Sequence, residues 1–147
     1  MTAVIVGIGQ LAAGDDGVGL AVARALAARG LETRETADAS ILLSLLEAER
    51  RVVVVDAVVN GGAPGSVIRL DVEALASGPT PLSSHGIGVA EALELARSLY
   101  GAHSVARVEI VGVAIARPTG AAFGLSPAVA AAVEPAAALA AALAGGG

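Results

Sequence analysis

The sequence predicts an α/β protein: a three-layer α/β/α sandwich around a mostly parallel five-stranded sheet with one antiparallel strand. Short valine- and isoleucine-rich runs alternate with alanine-rich segments of helical periodicity, a pattern typical of a sheet covered by helices on both faces. The run 52–59 is apolar except for Asp56 and does not alternate, as expected for a central strand. The length of 147 residues indicates one domain, which we expect to span residues 1–144, with a frayed tail at 145–147.

The individual elements follow from local signals. The first half predicts, in order, strand 3–8, helix 18–29, strand 31–38, helix 41–50 and strand 52–59. The second half predicts strand 66–70, a helix beginning at 89, strand 105–115 and a terminal helix that follows Ser126. Glycine ends the first helix, and the pair Ser126-Pro127 is a typical start for the last one. Strand 66–70 is expected to be antiparallel, because the dense turn signal at 60–65 precedes it directly.

The composition excludes several classes of protein. Apolar residues make up 55% of the chain and aromatic residues 1%; there are 35 alanines, and all nine basic residues are arginine. So much apolar surface argues against disorder, while a net charge of -5 and few aromatic rings argue against nucleic-acid binding by base stacking. The chain has no cysteine, which excludes disulfides, thiolate metal sites and a cysteine nucleophile.

Membrane insertion is not expected from the sequence. Two long uncharged stretches, 118–133 and 135–147, are separated by Glu134 and broken or opened by proline and glycine. Neither reaches the roughly 18 continuous apolar residues of a spanning helix. The N-terminus lacks the basic region of a signal peptide and is predicted to be a strand. We therefore expect no membrane span and a cytoplasmic location.

Three polar clusters follow predicted strands, where open α/β sheets bind their ligands. Asp15-Asp16 follows the first strand, Asp56 follows four valines, and His85 lies in a loop rich in serine, glycine and proline. Asp15 or Asp16 could simply cap the next helix. A carboxylate at Asp56 instead requires a cation or a hydrogen-bond network, because burying it alone is costly. The second histidine, His103, is expected to be solvated in a surface connector.

Three kinds of site could use these residues. A dinucleotide fingerprint fails, because position 12 is alanine in G-x-G-x-x-G and two aspartates would repel a pyrophosphate. A triad of Asp56 and His85 with Ser83 or Ser84 would need neighbours on one loop to face each other, and the chain has no G-x-S-x-G elbow. Two carboxylates and an imidazole on adjacent loops favour a borderline divalent metal such as nickel, zinc, copper or iron.

The motifs resemble those of the hydrogenase maturation proteases. The segment 7–19 is similar to the family signature G-x-G-N-x-x-x-G-D-[DE]-G-x-G, with glutamine at position 10; Val55-Asp56-Ala57 and Ser84-His85 match two further motifs in order. The C-terminal strand and helix are also similar, at Val111-Gly112-Val113, Gly124-Leu125-Ser126-Pro127 and Val133-Glu134-Pro135-Ala136. The resemblance covers nearly the whole chain and implies a phosphorylase/hydrolase-like form of the sandwich.

The resemblance also implies a function. These aspartyl-type endopeptidases trim the C-terminus of the large-subunit precursor of [NiFe] hydrogenases. The resemblance implies that Asp16, Asp56 and His85 are both the metal ligands and the catalytic residues. It also implies that the nickel is supplied by the hydrogenase precursor rather than permanently bound. A metal there could polarise the scissile carbonyl and activate water, and either Asp16 or Asp56 could serve as the base; the sequence leaves this choice open.

The sequence departs from the family pattern at Gln10, in the stretch 114–122, which lacks the acidic residue expected there, and most clearly in one loop. Residues 36–40 read T-A-D-A-S where the family has D-G-G-[TS], and Asp38 is expected either to take the acidic, substrate-binding position or to lie a residue or two from it. Loss of both glycines removes a flexible backbone approach. Two alternatives therefore stay open: a catalytically silent accessory protein that binds the hydrogenase or shelters its metal, and a small-molecule hydrolase that uses Ser83 or Ser84 beside His85.

Overall fold

A computed structural model describes residues 3–10, 14–72, 75, 80–81, 88–116 and 124–145. A mixed sheet lies between two layers of helices, which confirms the predicted sandwich. The strands are β1 (Val4–Ile8), β2 (Thr33–Thr36), β3 (Val52–Val59), β4 (Val67–Leu70), β5 (Thr80–Pro81) and β6 (Val108–Ala114). The helices are α1 (Val18–Ala27), α2 (Ile41–Glu47), α3 (Val89–Tyr100), α4 (Ala102–Val105) and α5 (Pro127–Gly145).

The sheet has the strand order β2-β1-β3-β6-β4, and its first four strands run parallel. This confirms the five predicted strands and the single antiparallel one, β4. The partner of β4 is β6 rather than the preceding strand, because β1 and β6 already occupy both sides of β3. The two-residue strand β5, which was not predicted, adds an antiparallel pairing at the end of β3 through Val58 and Val59.

The two faces of the sheet bury separate cores. Successive residues of β3 point to opposite faces, because side chains alternate along a strand. Val53, Val55 and Ala57 pack with α1 and α5, whereas Val54 and Val58 pack with α2 and α3. All eight residues of β3 are buried, which confirms the prediction of a central strand. Asp56 has the same parity as Val54 and Val58 and therefore belongs to the α2/α3 face.

Several predicted boundaries are wrong by two or three residues: α1 ends at Ala27, β2 spans Thr33–Thr36 and α2 ends at Glu47. The predicted strand 105–115 begins only at Val108, since residues 102–105 form the short helix α4, which carries the exposed His103. The predicted start of α1 at Val18 is confirmed, and the 3₁₀ turn Gly14–Gly17 before it contains both Asp15 and Asp16. The two aspartates therefore lie in a turn between β1 and α1 rather than in the first turn of α1.

Helix α5 changes the membrane argument. It continues through Glu134 and Pro135 for 19 residues, so one helix contains parts of both uncharged stretches. By length and composition alone this helix could cross a membrane. Within the fold, its buried residues Val129, Ala132, Ala136 and Ala140 recur every three or four positions and pack on the α1 face of the sheet. This spacing places the buried residues on one face of α5, as in a helix that covers a core.

Close packing between β1 and α1 requires glycine. A Cβ atom on Gly19 would lie 2.4 Å from the carbonyl oxygen of Ile8 and 2.5 Å from that of Val55. A Cβ atom on Gly7 would lie 2.2 Å from the carbonyl oxygen of Gly19. Glycines in the 7–19 motif thus let α1 approach the backbones of β1 and β3 at the edge where β1 ends.

Substituting Gly19 is expected to destabilise the protein. In Gly19→Ala the new methyl group would overlap two backbone oxygens, which cannot move without displacing β1 or β3. We expect a loss of about 1–3 kcal/mol in the free energy of unfolding, measured by urea denaturation. Gly145→Ala is the control, because a Cβ atom there meets nothing within 4 Å. Equal stability of the two variants would contradict this packing argument.

Candidate active site

The strand order places a crevice between β1 and β3. The chain leaves β1 for β2 on one side and then returns to β3 on the other side of β1. The connections on the two sides use opposite faces: α1 packs with α5, while α2 packs with α3. Open α/β sheets bind ligands at such a switch point, beyond the carboxyl ends of the strands. The turn containing Asp16 follows β1 at this place, and Asp56 lies in the adjacent strand β3.

Asp16 and Asp56 are buried carboxylates with unused bonding capacity. Each is 1% exposed. The Oδ1 atom of each has no hydrogen-bond partner in the described part of the chain. A buried polar atom without a partner costs about 1–3 kcal/mol, and more when it carries charge. Among the described residues, the only other buried polar side chain is that of Ser104, which donates hydrogen bonds to backbone carbonyls.

Burial and mutual repulsion both act on the two carboxyl groups. Burial raises the pKa of Asp56 well above its ordinary value, and the nearby carboxylate of Asp16 raises it further. The backbone N–H of Ala57 hydrogen-bonds Asp56 and opposes this shift. Burial also raises the pKa of Asp16 from 3.8 to about 6, against a hydrogen bond from the backbone N–H of Gln10. Such a pair of buried acids is typical of a functional site.

The described residues supply only part of the predicted constellation. They bring Asp16 and Asp56 together but contain no group of three or more candidate metal ligands. His85, Ser83 and Ser84 lie outside the described residues. The predicted role of His85, and the alternative in which a serine acts beside it, therefore stay predictions. The chemistry available from the two aspartates is to ligate a hard or borderline cation and to accept a proton.

Asp38 fixes the loop that follows β2. Its Oδ1 atom accepts a hydrogen bond of 2.9 Å from the backbone N–H of Ser40. The Thr36 hydroxyl accepts from the backbone N–H of Asp38 and donates to its carbonyl oxygen, both at 3.0 Å. Ala39, where the family pattern has glycine, is 1% exposed and packs in the α2/α3 core. The loop is thus tied internally, and substrate binding by Asp38 stays a prediction.

Asp15 has a role that the sequence did not reveal. Neither aspartate caps α1, whose N-cap residue Gly17 has no side-chain cap hydrogen bond. Asp15 instead accepts two hydrogen bonds from Ser126, 111 residues later: one from the backbone N–H to Oδ1 at 2.7 Å and one from the hydroxyl to Oδ2 at 2.8 Å. Both residues belong to recognisable motifs, but only the tertiary structure brings them together.

The family model described as HycI: Hydrogenase maturation protease matches residues 36–143 of this chain. This chain belongs to the hydrogenase maturation protease family. The match covers well over half of the sequence and includes the positions of Asp38, Asp56 and His85. No curated protein sequence matches the chain.

Solved structures of maturation proteases share the fold. The [NiFe] hydrogenase maturation protease HybD from Thermococcus kodakarensis is 25% identical, with a TM-score of 0.77 over 98% of this chain and 99% of that one. The hydrogenase maturating endopeptidase HybD from Escherichia coli is also 25% identical, with a TM-score of 0.69 over 95% and 89% of the two chains. The endopeptidase HycI from E. coli, at 20% identity and a TM-score of 0.73, shows the fold alone.

Membership in the maturation protease family confirms three predictions: the family, the fold class and the assignment as a peptidase. The family match begins at residue 36, after the turn that contains Asp16. The structural similarity to the Thermococcus protease covers 98% of the chain and therefore extends to this turn.

Proposed function

We propose that this maturation protease removes a C-terminal peptide from the nickel-loaded precursor of a [NiFe] hydrogenase large subunit. Asp16, Asp56 and His85 would ligate the nickel that the substrate brings. The proposal places the reaction in the cytoplasm and treats α5 as a core helix rather than a membrane span. The observation that carries it is the pair of buried carboxylates, each with an Oδ1 atom that has no partner among the described residues.

The donor set fits a divalent cation that arrives with a substrate. Two adjacent carboxylates repel each other, as the raised pKa of Asp56 indicates, and a cation between them would relieve this repulsion. Their unpartnered oxygens would become ligands without breaking an existing hydrogen bond. Two aspartates and one histidine also leave coordination positions open for groups of the substrate.

His85 is the proposed third ligand because both sides of its segment are anchored near Asp56. Four residues before it, Pro81 pairs with Val58 of β3, two residues beyond Asp56. Four residues after it, α3 begins at Val89 and packs on the sheet face to which Asp56 belongs. Four residues span at most about 14 Å, so these two anchors are compatible with His85 as a ligand beside Asp56 and support the proposal.

The chemistry follows from the two carboxylates and the substrate's metal. A bound nickel ion would polarise the scissile carbonyl and favour attack by water. Asp16 or Asp56 would accept the proton of that water, and the buried setting would hold the acceptor in place at the crevice. The proton would then pass to the leaving amine, which completes hydrolysis of the peptide bond. The family resemblance, rather than the geometry, suggests that the substrate is a hydrogenase precursor.

The test is a cleavage assay with purified protein and a hydrogenase large-subunit precursor. We expect the nickel-loaded precursor to be shortened at its C-terminus and the nickel-free precursor to stay intact, as measured by intact-protein mass. His85→Ala should reduce the cleavage rate by at least 100-fold, because it removes one proposed ligand. His103→Ala is the matched control, since His103 is an exposed residue of α4, and should cleave normally.

Two outcomes would contradict the proposal. Equal cleavage of nickel-loaded and nickel-free precursors would exclude a role for the substrate's metal. Nickel-dependent binding of the precursor without shortening would instead identify the silent accessory protein.

A further inference from the structure

We propose that Asp15 is a positioning residue, which ties the Gly14–Gly17 turn to the start of α5 and so holds the Asp16 carboxylate at the crevice. The inference rests on the proposed function, in which Asp16 is a ligand of the substrate's nickel. It assigns to Asp15 no contact with the metal or the substrate. Asp15 contributes by fixing the orientation of the neighbouring Asp16.

The contact has the form of a two-point clamp. Oδ1 of Asp15 accepts from the backbone N–H of Ser126 at 2.7 Å, and Oδ2 accepts from the Ser126 hydroxyl at 2.8 Å. Both distances are at the short end for hydrogen bonds to a carboxylate, as charge-assisted bonds are. With both carboxylate oxygens engaged by one residue, the orientation of the Asp15 side chain is fixed.

The far end of the clamp is a rigid part of the fold. Ser126 directly precedes α5, and its carbonyl accepts the hydrogen bond of the Ala130 N–H at 2.8 Å. The first turns of α5 bury Val129 and Ala132 against the sheet. At the opposite end, the Arg51 guanidinium donates to the carbonyl oxygens of Leu143 and Ala144 at 3.1 and 3.4 Å. The helix is thus anchored along its length.

The near end of the clamp carries Asp16. Since Asp15 and Asp16 are consecutive in a four-residue turn, fixing the side chain of Asp15 limits the backbone angles that orient Asp16. On its other side the turn packs against the residue that follows β1, since a Cβ atom on Gly9 would lie 2.0 Å from the carbonyl oxygen of Asp16. The turn is therefore held on two sides, and the Asp15–Ser126 contact holds it on the side of α5.

A simpler interpretation is that Asp15 only stabilises the N-terminus of α5. The two interpretations differ in what they predict for Asp16. If Asp15 only stabilises α5, substituting it should affect the turn and the cation affinity no more than any other substitution that destabilises this helix. If it positions Asp16, its loss should disturb the turn and the cation affinity more than an equal weakening at the far end of α5.

The experiment compares Asp15→Ala, Asp15→Asn and Arg51→Ala in the full chain. The probe is Ni²⁺ alone, measured by isothermal titration calorimetry, together with amide hydrogen exchange of the Gly14–Gly17 turn followed by NMR. We expect Asp15→Ala to weaken Ni²⁺ binding by about tenfold or more, the usual range for residues that orient metal ligands, and to speed exchange in the turn. Arg51→Ala, which loosens the other end of α5, should change neither.

Asp15→Asn separates geometry from charge. An asparagine can accept from the Ser126 N–H through Oδ1 and donate from Nδ2 to the serine hydroxyl oxygen, so both contacts are kept without the negative charge. We expect Ni²⁺ affinity within about threefold of wild type for this variant. An affinity as low as that of Asp15→Ala would overturn the positioning role in favour of a direct electrostatic one.

The outcomes also separate this proposal from the one on which it rests. Unchanged exchange of the turn in Asp15→Ala would overturn the positioning role, whether or not Ni²⁺ binds. Absence of Ni²⁺ binding by the wild-type protein would overturn the cation site itself. Loss of Ni²⁺ affinity in Arg51→Ala equal to that in Asp15→Ala would show that the general stability of α5, rather than the clamp, controls the site.

Discussion

In the absence of metal at pH 7–8, Asp56→Asn is expected to be more stable than the wild-type protein and to cleave no precursor. The wild-type carboxylate is 1% exposed, lies close to the carboxylate of Asp16 and leaves Oδ1 without a partner among the described residues. A neutral amide of the same shape removes the repulsion. We expect a gain of about 1–3 kcal/mol in the free energy of unfolding, measured by urea denaturation.

The same substitution removes a proposed ligand and a proposed proton acceptor, so activity and stability should change in opposite directions. Such a trade-off is typical of functional sites. Asp71→Asn is the control, because Asp71 is exposed; neither its stability nor its cleavage rate should change measurably. An Asp56→Asn variant less stable than wild type at pH 7–8 would mean that the carboxylate makes a stabilising contact in the free protein.

The stability of the metal-free protein is also expected to fall as the pH rises from about 4 to above 6. Burial raises the pKa of Asp16 from 3.8 to about 6 in the folded state. Below pH 3.8 the group is protonated in both states and exerts no penalty. Between these values the unfolded chain loses the proton more readily than the folded protein does, so unfolding becomes more favourable. Well above pH 6 the group is ionised in both states, and the free energy of unfolding has fallen by roughly 3 kcal/mol in total.

The measurement is urea denaturation at intervals between pH 4 and pH 8, for wild type and for Asp16→Asn. The difference between the two reports Asp16 together with its coupling to Asp56, and the contributions of the other titrating groups cancel. We expect this difference to be small at pH 4 and to grow in favour of Asp16→Asn up to about pH 7. Because burial and the nearby Asp16 carboxylate raise the pKa of Asp56, this group also contributes to the wild-type decline as the pH rises above its ordinary pKa. Parallel stability curves for the two proteins would contradict the raised pKa of Asp16.

Most of the fold could be predicted from the sequence because its signals are local. Four consecutive valines before Asp56 indicate a strand covered on both faces, and all eight residues of β3 are buried. Ser126-Pro127 marks the start of α5 correctly. The errors lie at boundaries, where a short helix such as α4 carries no distinct pattern. The match of motifs in order carried the family assignment, which the family model confirms.

The candidate site could be predicted only in part. Asp56 was conspicuous because a carboxylate interrupts an apolar strand in a chain that is only 16% charged. Asp16 was ambiguous, because an acidic residue before a helix is equally typical of a cap. The structure resolves this ambiguity: Asp16 is buried beside Asp56, while Asp15 forms the clamp with Ser126. The predicted contribution of His85 stays a prediction.

The sequence by itself determined the order of every strand except β5 and every helix except α4, the central position of β3 and the family, because periodicity and motif spacing are properties of consecutive residues. Only the tertiary structure decided that β4 pairs with β6 and that Asp15 contacts Ser126, 111 residues away. The pairing depends on which strand edges are still free, and the contact depends on where two distant turns meet. Both are consequences of how the layers pack, which no local pattern encodes.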